Sequence, residues 1–272
     1  MGKVKFWLIV GWCAAVSIPA WAQQQQQQQQ TSCGPYRVAL YEYGSLAFQH
    51  EGQKPAGIDV DIVQEVARRT GCKFQTFIDS RVRTWADIAN GALDMTVSAI
   101  ETDERNKFAH YVIYMKGRNR LLVRNDVPGA ARTLQAFTEQ TSLRLAVVKG
   151  FKHGQHWDEW VNTLRQQGRV DEYADANTAT RLVAQGRNAA FFSEPVVWGR
   201  ILEDGKLEGK VTVIDAYPGD NYAAGFAMSK GRIRDDDIQR IQAAIAAMRA
   251  DGTLLKIFGS YLPHAEAMSS MP

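Results

Sequence analysis

Long apolar runs are scarce in this 272-residue chain. Beyond residue 22 no stretch approaches the 18 uncharged apolar residues of a membrane-crossing helix. Charge of one sign is lacking as well, with 32 basic against 29 acidic residues. Without clustered positive charge there is no electrostatic case for nucleic acid or anionic lipid. Cysteine occurs three times. His153 and His156 have a spacing that a metal could use, but no cysteine or acidic partner stands at a ligand interval from them, so no metal site is expected. Gly-x-Ser-x-Gly, a P-loop and a dinucleotide fingerprint are all absent, which leaves no motif for acyl transfer or nucleotide chemistry and no expected cofactor.

What is present begins with the N-terminus. Lys3 and Lys5 precede an apolar run from Phe6 to Val16, and Ala20-Trp21-Ala22 sets two small residues one position apart. That order is a secretory signal over residues 1–22, with cleavage expected after Ala22. Cys13 lies inside it behind the bulky Trp12, a poor lipoprotein site, and is read as discarded with the signal. Loss of Lys3 and Lys5 leaves a net charge of +1. Eight glutamines, Gln23–Gln30, follow with nothing to bury, so 23–32 reads as a disordered leader. The roughly 240 residues that remain suffice for one large domain or two of moderate size.

Short apolar segments at 37–41, 73–78, 95–100, 121–124, 143–148, 189–193, 211–215 and 225–229 predict strands. They alternate with amphipathic helices, which argues for α/β layers with mainly parallel sheets. Ile58, Ile62, Val63, Val66 and Ala67 give one apolar face to a helix that Gly71 ends, and Ile238, Ile241, Ile245 and Met248 repeat the pattern. Trp157, Trp160 and Trp198 fall in helical patterns and read as packing. Asn125–Gly129 and Tyr217–Asn221, both rich in turn formers, interrupt the alternation. Cys33 and Cys72 each stand just before a predicted strand. If those strands are parallel neighbours a disulfide can close between them; otherwise they are separate thiols, and export favours the bridge.

Three segments carry a resemblance: Gly57-Ile58-Asp59-Val60-Asp61 running on to Phe74, ALDMTVSAIETDER from Ala92 to Arg105, and RADGTLLKIFGSYL from Arg249 to Leu262. In this order and spacing the chain resembles family 3 of the bacterial periplasmic solute-binding proteins, which feed polar amino acids to ABC transporters. The resemblance implies an α/β type II binding protein with two lobes, each a mainly parallel sheet flanked by helices, joined by two hinge crossings. Residues 33–123 and 222–272 would form one lobe and 124–221 the other. It further implies a monomer in the periplasm, a small amino-acid or acidic ligand, and a membrane permease as partner.

An amino acid presents a carboxylate and an ammonium on one carbon, so its site needs donors facing an acid. Arg105 matches the family's Thr-x-x-Arg pattern with Thr102, and its guanidinium suits a carboxylate; locally it could equally be a solvated arginine paired with Glu101. Ser98 and Ala99 stand where the family places carboxylate donors, whereas Ile100 replaces the usual Thr or Ser and Glu101 the usual apolar residue. Glu194, after the strand Ala189–Ser193, takes the place of the family's ammonium-binding Asp, while Ala189 replaces a structural Asp of the same pattern. The Gly150-Phe151-Lys152 loop resembles the family's strand–Gly–loop. Lys152 stands where Ser or Thr is common. Arg81 and Arg83 lie where an aromatic wall is often found, and together these cations favour an acidic ligand unless all are merely exposed. Tyr41, Tyr43 and, more weakly, Phe48 are candidates for an aromatic wall. Two rival functions share this resemblance: a periplasmic dehydratase of the cyclohexadienyl dehydratase type, with Glu194 as proton donor, and a ligand sensor for a membrane receptor.

Overall fold

The computed structural model describes residues 32–127 and 133–272. The signal segment, its cleavage site and the leader up to residue 31 lie outside the described residues, as do Pro128 and Gly129.

Two five-stranded sheets repeat one design. In the first, β1 (Tyr36–Leu40) lies between β2 (Phe74–Ile78) and β3 (Met95–Ile100), all parallel. β10 (Tyr222–Ser229) then runs antiparallel to both β3 and β4 (Ala109–Gly117). The second sheet orders β7 (Val170–Tyr173), β6 (Leu145–Val148) and β8 (Ala190–Ser193) in parallel. Next to β8, β5 (Arg120–Arg124) runs antiparallel to both β8 and β9 (Val211–Ile214). Each sheet is therefore mixed rather than mainly parallel. Parallel neighbours need a crossover connection, whereas β5 and β10 are the strands that enter from the other sheet, and those two oppose both neighbours.

This pairing corrects the expected lobe boundary. The expected boundary places 121–123 in the first lobe, but β5 hydrogen-bonds within the second sheet. The first crossing is therefore Arg118-Asn119, between β4 and β5. Asn125 is tied within the second lobe, through its N–H to the Lys210 carbonyl (2.8 Å) and its Nδ2 to the Gly209 carbonyl (3.0 Å). The second crossing spans 215–221. Asp215 accepts from Arg118 (2.6 Å) and Arg120 (3.0 Å), which ties the two crossings together. Asp220 accepts from the N–H groups of Gln155 and His156, both at 3.2 Å, capping the helix Gln155–Gln166 from outside its own segment. A Cβ on Gly154 would stand 2.6 Å from Asp220, so the chain needs glycine there.

Two strands carried little sequence signal. β7 reads Val-Asp-Glu-Tyr and lies at a sheet edge, while β4 interrupts its apolar residues with His110 and Lys116. The first helix, α1 (Ile58–Thr70), buries Ile58, Ile62 and Val66 completely, and Gly71 ends it with φ +72°. In the second lobe Trp157, Phe137 and Leu164 are fully buried and Trp160 nearly so. The register Tyr36↔Phe74 brings the residues before β1 and β2 together, and Cys33–Cys72 is a disulfide with Cα atoms 4.4 Å apart. No helix among the described residues is long and apolar enough to cross a membrane.

Candidate ligand-binding cleft

Between the sheets lies a cleft with an empty volume of about 480 Å³. Its first-lobe wall comes from the loop after β1, the helix α2 (Arg81–Asn90) and the end of β3. Its second-lobe wall comes from Gly150–Lys152 and Glu194, and Asn119 of the first crossing also lines it.

Two buried guanidinium groups face it. Arg105 opens a short 3₁₀ turn, Arg105–Lys107, and its N–H bonds the Thr102 hydroxyl at 3.3 Å. Nη1 donates to the Ile100 carbonyl (2.9 Å) and Nη2 to the Gly150 carbonyl (3.1 Å), so the side chain bridges the two walls. Its guanidinium carbon lies 3.7 Å from the centre of the Trp85 ring. Glu101 pairs with Asn106 instead, and among the described residues no carboxylate lies within ion-pair distance of Arg105. Burial, opposed in part by Tyr111, pulls its pKa down to about 10, and the nearby Arg81 charge adds to the fall. It remains a cation at neutral pH. Arg81 is 6% exposed and packs against the faces of Tyr41 and Phe151, 5.0 and 5.6 Å from their ring centres.

Below them sits an acid that sequence reasoning passed over. Asp59, in the first turn of α1, is 1% exposed and accepts hydrogen bonds from the Tyr114 hydroxyl (2.6 Å) and the Ser98 hydroxyl (2.8 Å). Burial raises its pKa to about 6, against the pull of those bonds and of Arg81. Ser98 holds φ +44°, rare for a residue with a Cβ, at the place where β10 shifts register against β3. Such strain costs about 1–3 kcal/mol. The bonds that this turn allows, its hydroxyl to Asp59 and its N–H to Tyr114 (2.7 Å), offset it. The Ser98 hydroxyl is thus spent on Asp59. The signal for Asp59 was its place inside the Gly57–Asp61 motif, an acid among residues otherwise read as core.

Glu194 stands at the head of the helix Pro195–Asp204, 5% exposed, and its Oε2 has no hydrogen-bond partner among the described residues. Burial, with a smaller push from Asp59, raises its pKa to about 8, so it is a neutral acid at pH 7. A Cβ on Gly117 would lie 2.5 Å from this oxygen and 2.3 Å from the Tyr222 hydroxyl, so glycine there lets both groups reach the cleft. Tyr43 lines the same space. Burial raises its pKa well above the ordinary tyrosine value, so its hydroxyl stays neutral.

The cleft therefore gathers Arg105, Ser98, Glu194, Tyr43, Arg81 and Lys152. Lys152 is the outermost, 3.8 Å from Glu104 at the mouth. Tyr41 is not part of the lining: it backs Arg81 and meets Phe151 edge-on, its ring covered because strand β1 ends one residue before it. Arg83 points to solvent and pairs with Asp79 at 3.2 Å, and Phe48 lies under Arg200, bridged to Ala56, away from the cleft. Trp85, Asn119 and Tyr222 are lining residues without an earlier assignment. His153 and His156 face separate acids, Asp158 and Asp220. Among the described residues no cluster of three metal-ligating side chains occurs.

The chain belongs to the bacterial extracellular solute-binding proteins, family 3, whose model matches residues 37–264. Among solved structures it is similar to a histidine kinase sensor domain with similarity to periplasmic binding proteins (17% identity, covering 85% of this chain and 96% of that one, TM-score 0.71). It is also similar to the ancestral amino acid-binding protein AncCDT-1, a precursor of cyclohexadienyl dehydratase (17% identity, 89% and 99% covered, TM-score 0.69). A third is the amino acid ABC transporter substrate-binding protein AbpA from Streptococcus pneumoniae, bound to L-arginine (15% identity, 89% and 98% covered, TM-score 0.69). At such identities the likeness carries the fold: two α/β lobes of the type II periplasmic binding protein kind. A search of curated protein sequences found no match.

Proposed function

We propose that this chain is the periplasmic substrate-binding component of an ABC transporter, a non-enzymatic protein that holds an amino acid or related small carboxylate between its lobes. The observation that carries the reading is the meeting in one cavity of a buried Arg105 with a buried Glu194, the first with no carboxylate in ion-pair distance and the second with no partner for its Oε2 among the described residues. A buried guanidinium strongly favours a carboxylate, and an unpaired buried carboxyl gains by meeting an ammonium. The two groups are the complement of an α-amino acid. Family membership and the likeness to AbpA support transport. The signal pattern at residues 1–22 supports export, and hinge motion about 118–119 and 215–221 would open and close the cleft.

A thermal-shift screen of the oxidised protein against amino acids, dicarboxylates, polyamines and prephenate tests this. A ligand at 100 times its Kd stabilises by about 2.7 kcal/mol, roughly 5–10 °C at this size. A carboxylate ligand should give such a shift. Silence from every carboxylate would refute the reading. A second reading has one observation behind it: Glu194, buried in the wall of the cleft, stays protonated to about pH 8 and could give up that proton to a leaving group. Turnover of prephenate or arogenate would establish a dehydratase, and its absence would reject one.

A further inference from the structure

Arg81 is a poorly compensated buried charge. It is 94% buried by its 6% exposure, yet a single hydrogen bond holds it, Nη1 to the Val97 carbonyl at 3.3 Å. A long bond to a neutral carbonyl is a weak return for removing a guanidinium from water. Among the described residues no carboxylate lies within ion-pair distance of it. Asp59 is the acid whose field reaches it, but its oxygens are taken by Ser98 and Tyr114.

Local structure makes the surroundings more positive still. Arg81 is the first residue of α2, capped by Ser80, and that first turn contains no acid. The free N–H groups and aligned peptide dipoles at a helix N-terminus favour an anion and disfavour a cation. Arg105 is close enough for the two positive charges to oppose each other. On the opposite wall Glu194 does not neutralise them while it stays protonated. The Tyr41 and Phe151 rings hold the Arg81 guanidinium in position, so it is fixed in advance with donors left over.

We infer that Arg81 receives a second anionic group of the ligand, so that the cleft selects small dicarboxylates over neutral or basic amino acids. The inference rests on the solute-binding reading above. It assigns Arg105 to one carboxylate and Arg81 to the other. The ligand is then either an acidic amino acid, with its ammonium at Glu194, or an amino-free dicarboxylate that accepts a hydrogen bond from protonated Glu194.

Calorimetric titration of the wild-type protein with isosteric ligands tests it: L-glutamate against L-glutamine, L-aspartate against L-asparagine, glutarate and succinate as amino-free dicarboxylates, and L-arginine as a basic competitor. A dicarboxylate should bind at least 30-fold tighter than its amide and than arginine. Glutamate or aspartate ahead of glutarate and succinate would identify an acidic amino acid, and the reverse order an amino-free solute. In Arg81→Gln the dicarboxylate should lose at least 10-fold while the amide loses less than 3-fold. Equal losses would make Arg81 a structural residue and overturn the inference. So would glutamine, asparagine or arginine binding the wild type as tightly as the dicarboxylates, which would leave the solute-binding reading standing. No binding by any of these ligands would overturn the inference alone, and the wider thermal-shift screen would then decide the solute-binding reading. The wild-type comparison is decisive even if Arg81→Gln fails to fold.

Discussion

On the first-lobe wall of the cleft, Arg81 and Arg105 are charged, buried and fixed by ring faces and carbonyls. On the second-lobe wall, Glu194 is equally buried, its Oε2 has no partner among the described residues, and burial keeps it neutral. The difference follows from chemistry. A guanidinium cannot shed its proton at physiological pH, so the fold must support the charge at all times. A carboxyl can take up a proton and wait. On the proposed solute-binding reading, the anion site would be built in advance, whereas the cation site would form its charge when a cation arrives.

The largest expected effect breaks the first wall. Arg105→Ala removes the donors facing a ligand carboxylate and the bridge to Gly150, and should cost about 3–5 kcal/mol of binding, more than 100-fold. Calorimetry reads the affinity, and far-ultraviolet circular dichroism should show an unchanged fold. Wild-type affinity in this variant would take Arg105 out of the site.

A change at Glu194 sharpens the contrast through pH. Its folded-state pKa of about 8 lies above the ordinary carboxyl value of 4.5, so the unfolded chain ionises first. Stability without ligand should then fall as pH rises from about 5 to 8 and level off above that. Asp59 contributes a smaller fall that ends near pH 6. Glu194→Gln should abolish the Glu194 part, stabilising the unliganded protein by about 2–5 kcal/mol at pH 8.5. The same variant should weaken an ammonium-bearing ligand about 30-fold. Denaturant titrations at pH 5 and 8.5 measure the first effect; a parallel pH dependence in wild type and variant would show that Glu194 is not held neutral.

The smallest effect lies at the mouth. Lys152 is half-buried and lies 3.8 Å from the exposed Glu104, and solvent-screened pairs of this kind are worth about 0–1 kcal/mol. Lys152→Ala should change affinity less than about 3-fold, with the larger loss for an acidic ligand. A loss as great as that of Arg105→Ala would move the anion site outward from the buried pair.

Much of the fold was legible because strands β1, β3, β6, β8 and β10 carry apolar runs that only a sheet can bury in that alternation. β7 was not, since a polar edge strand looks like a loop. Two cleft-lining residues marked by charge in a known pattern, Arg105 and Glu194, could be picked out. Tyr41 could not be told from Tyr43, because which of two nearby tyrosines faces a cavity depends on where the strand ends and what covers the ring.

By itself the sequence determined the alternation of strands and helices, the family, and the types of charge available to a cleft. Periodicity and composition set the first and the last, and the resemblance of three segments, 57–74, 92–105 and 249–262, set the family. Only the tertiary structure decided that β5 joins the second sheet, that the Ser98 hydroxyl serves Asp59, and that Arg81 is buried while Arg83 meets solvent. The physical reason is that pairing, burial and the charge state of Glu194 depend on neighbours far away in the chain, and those neighbours exist only once the lobes have come together.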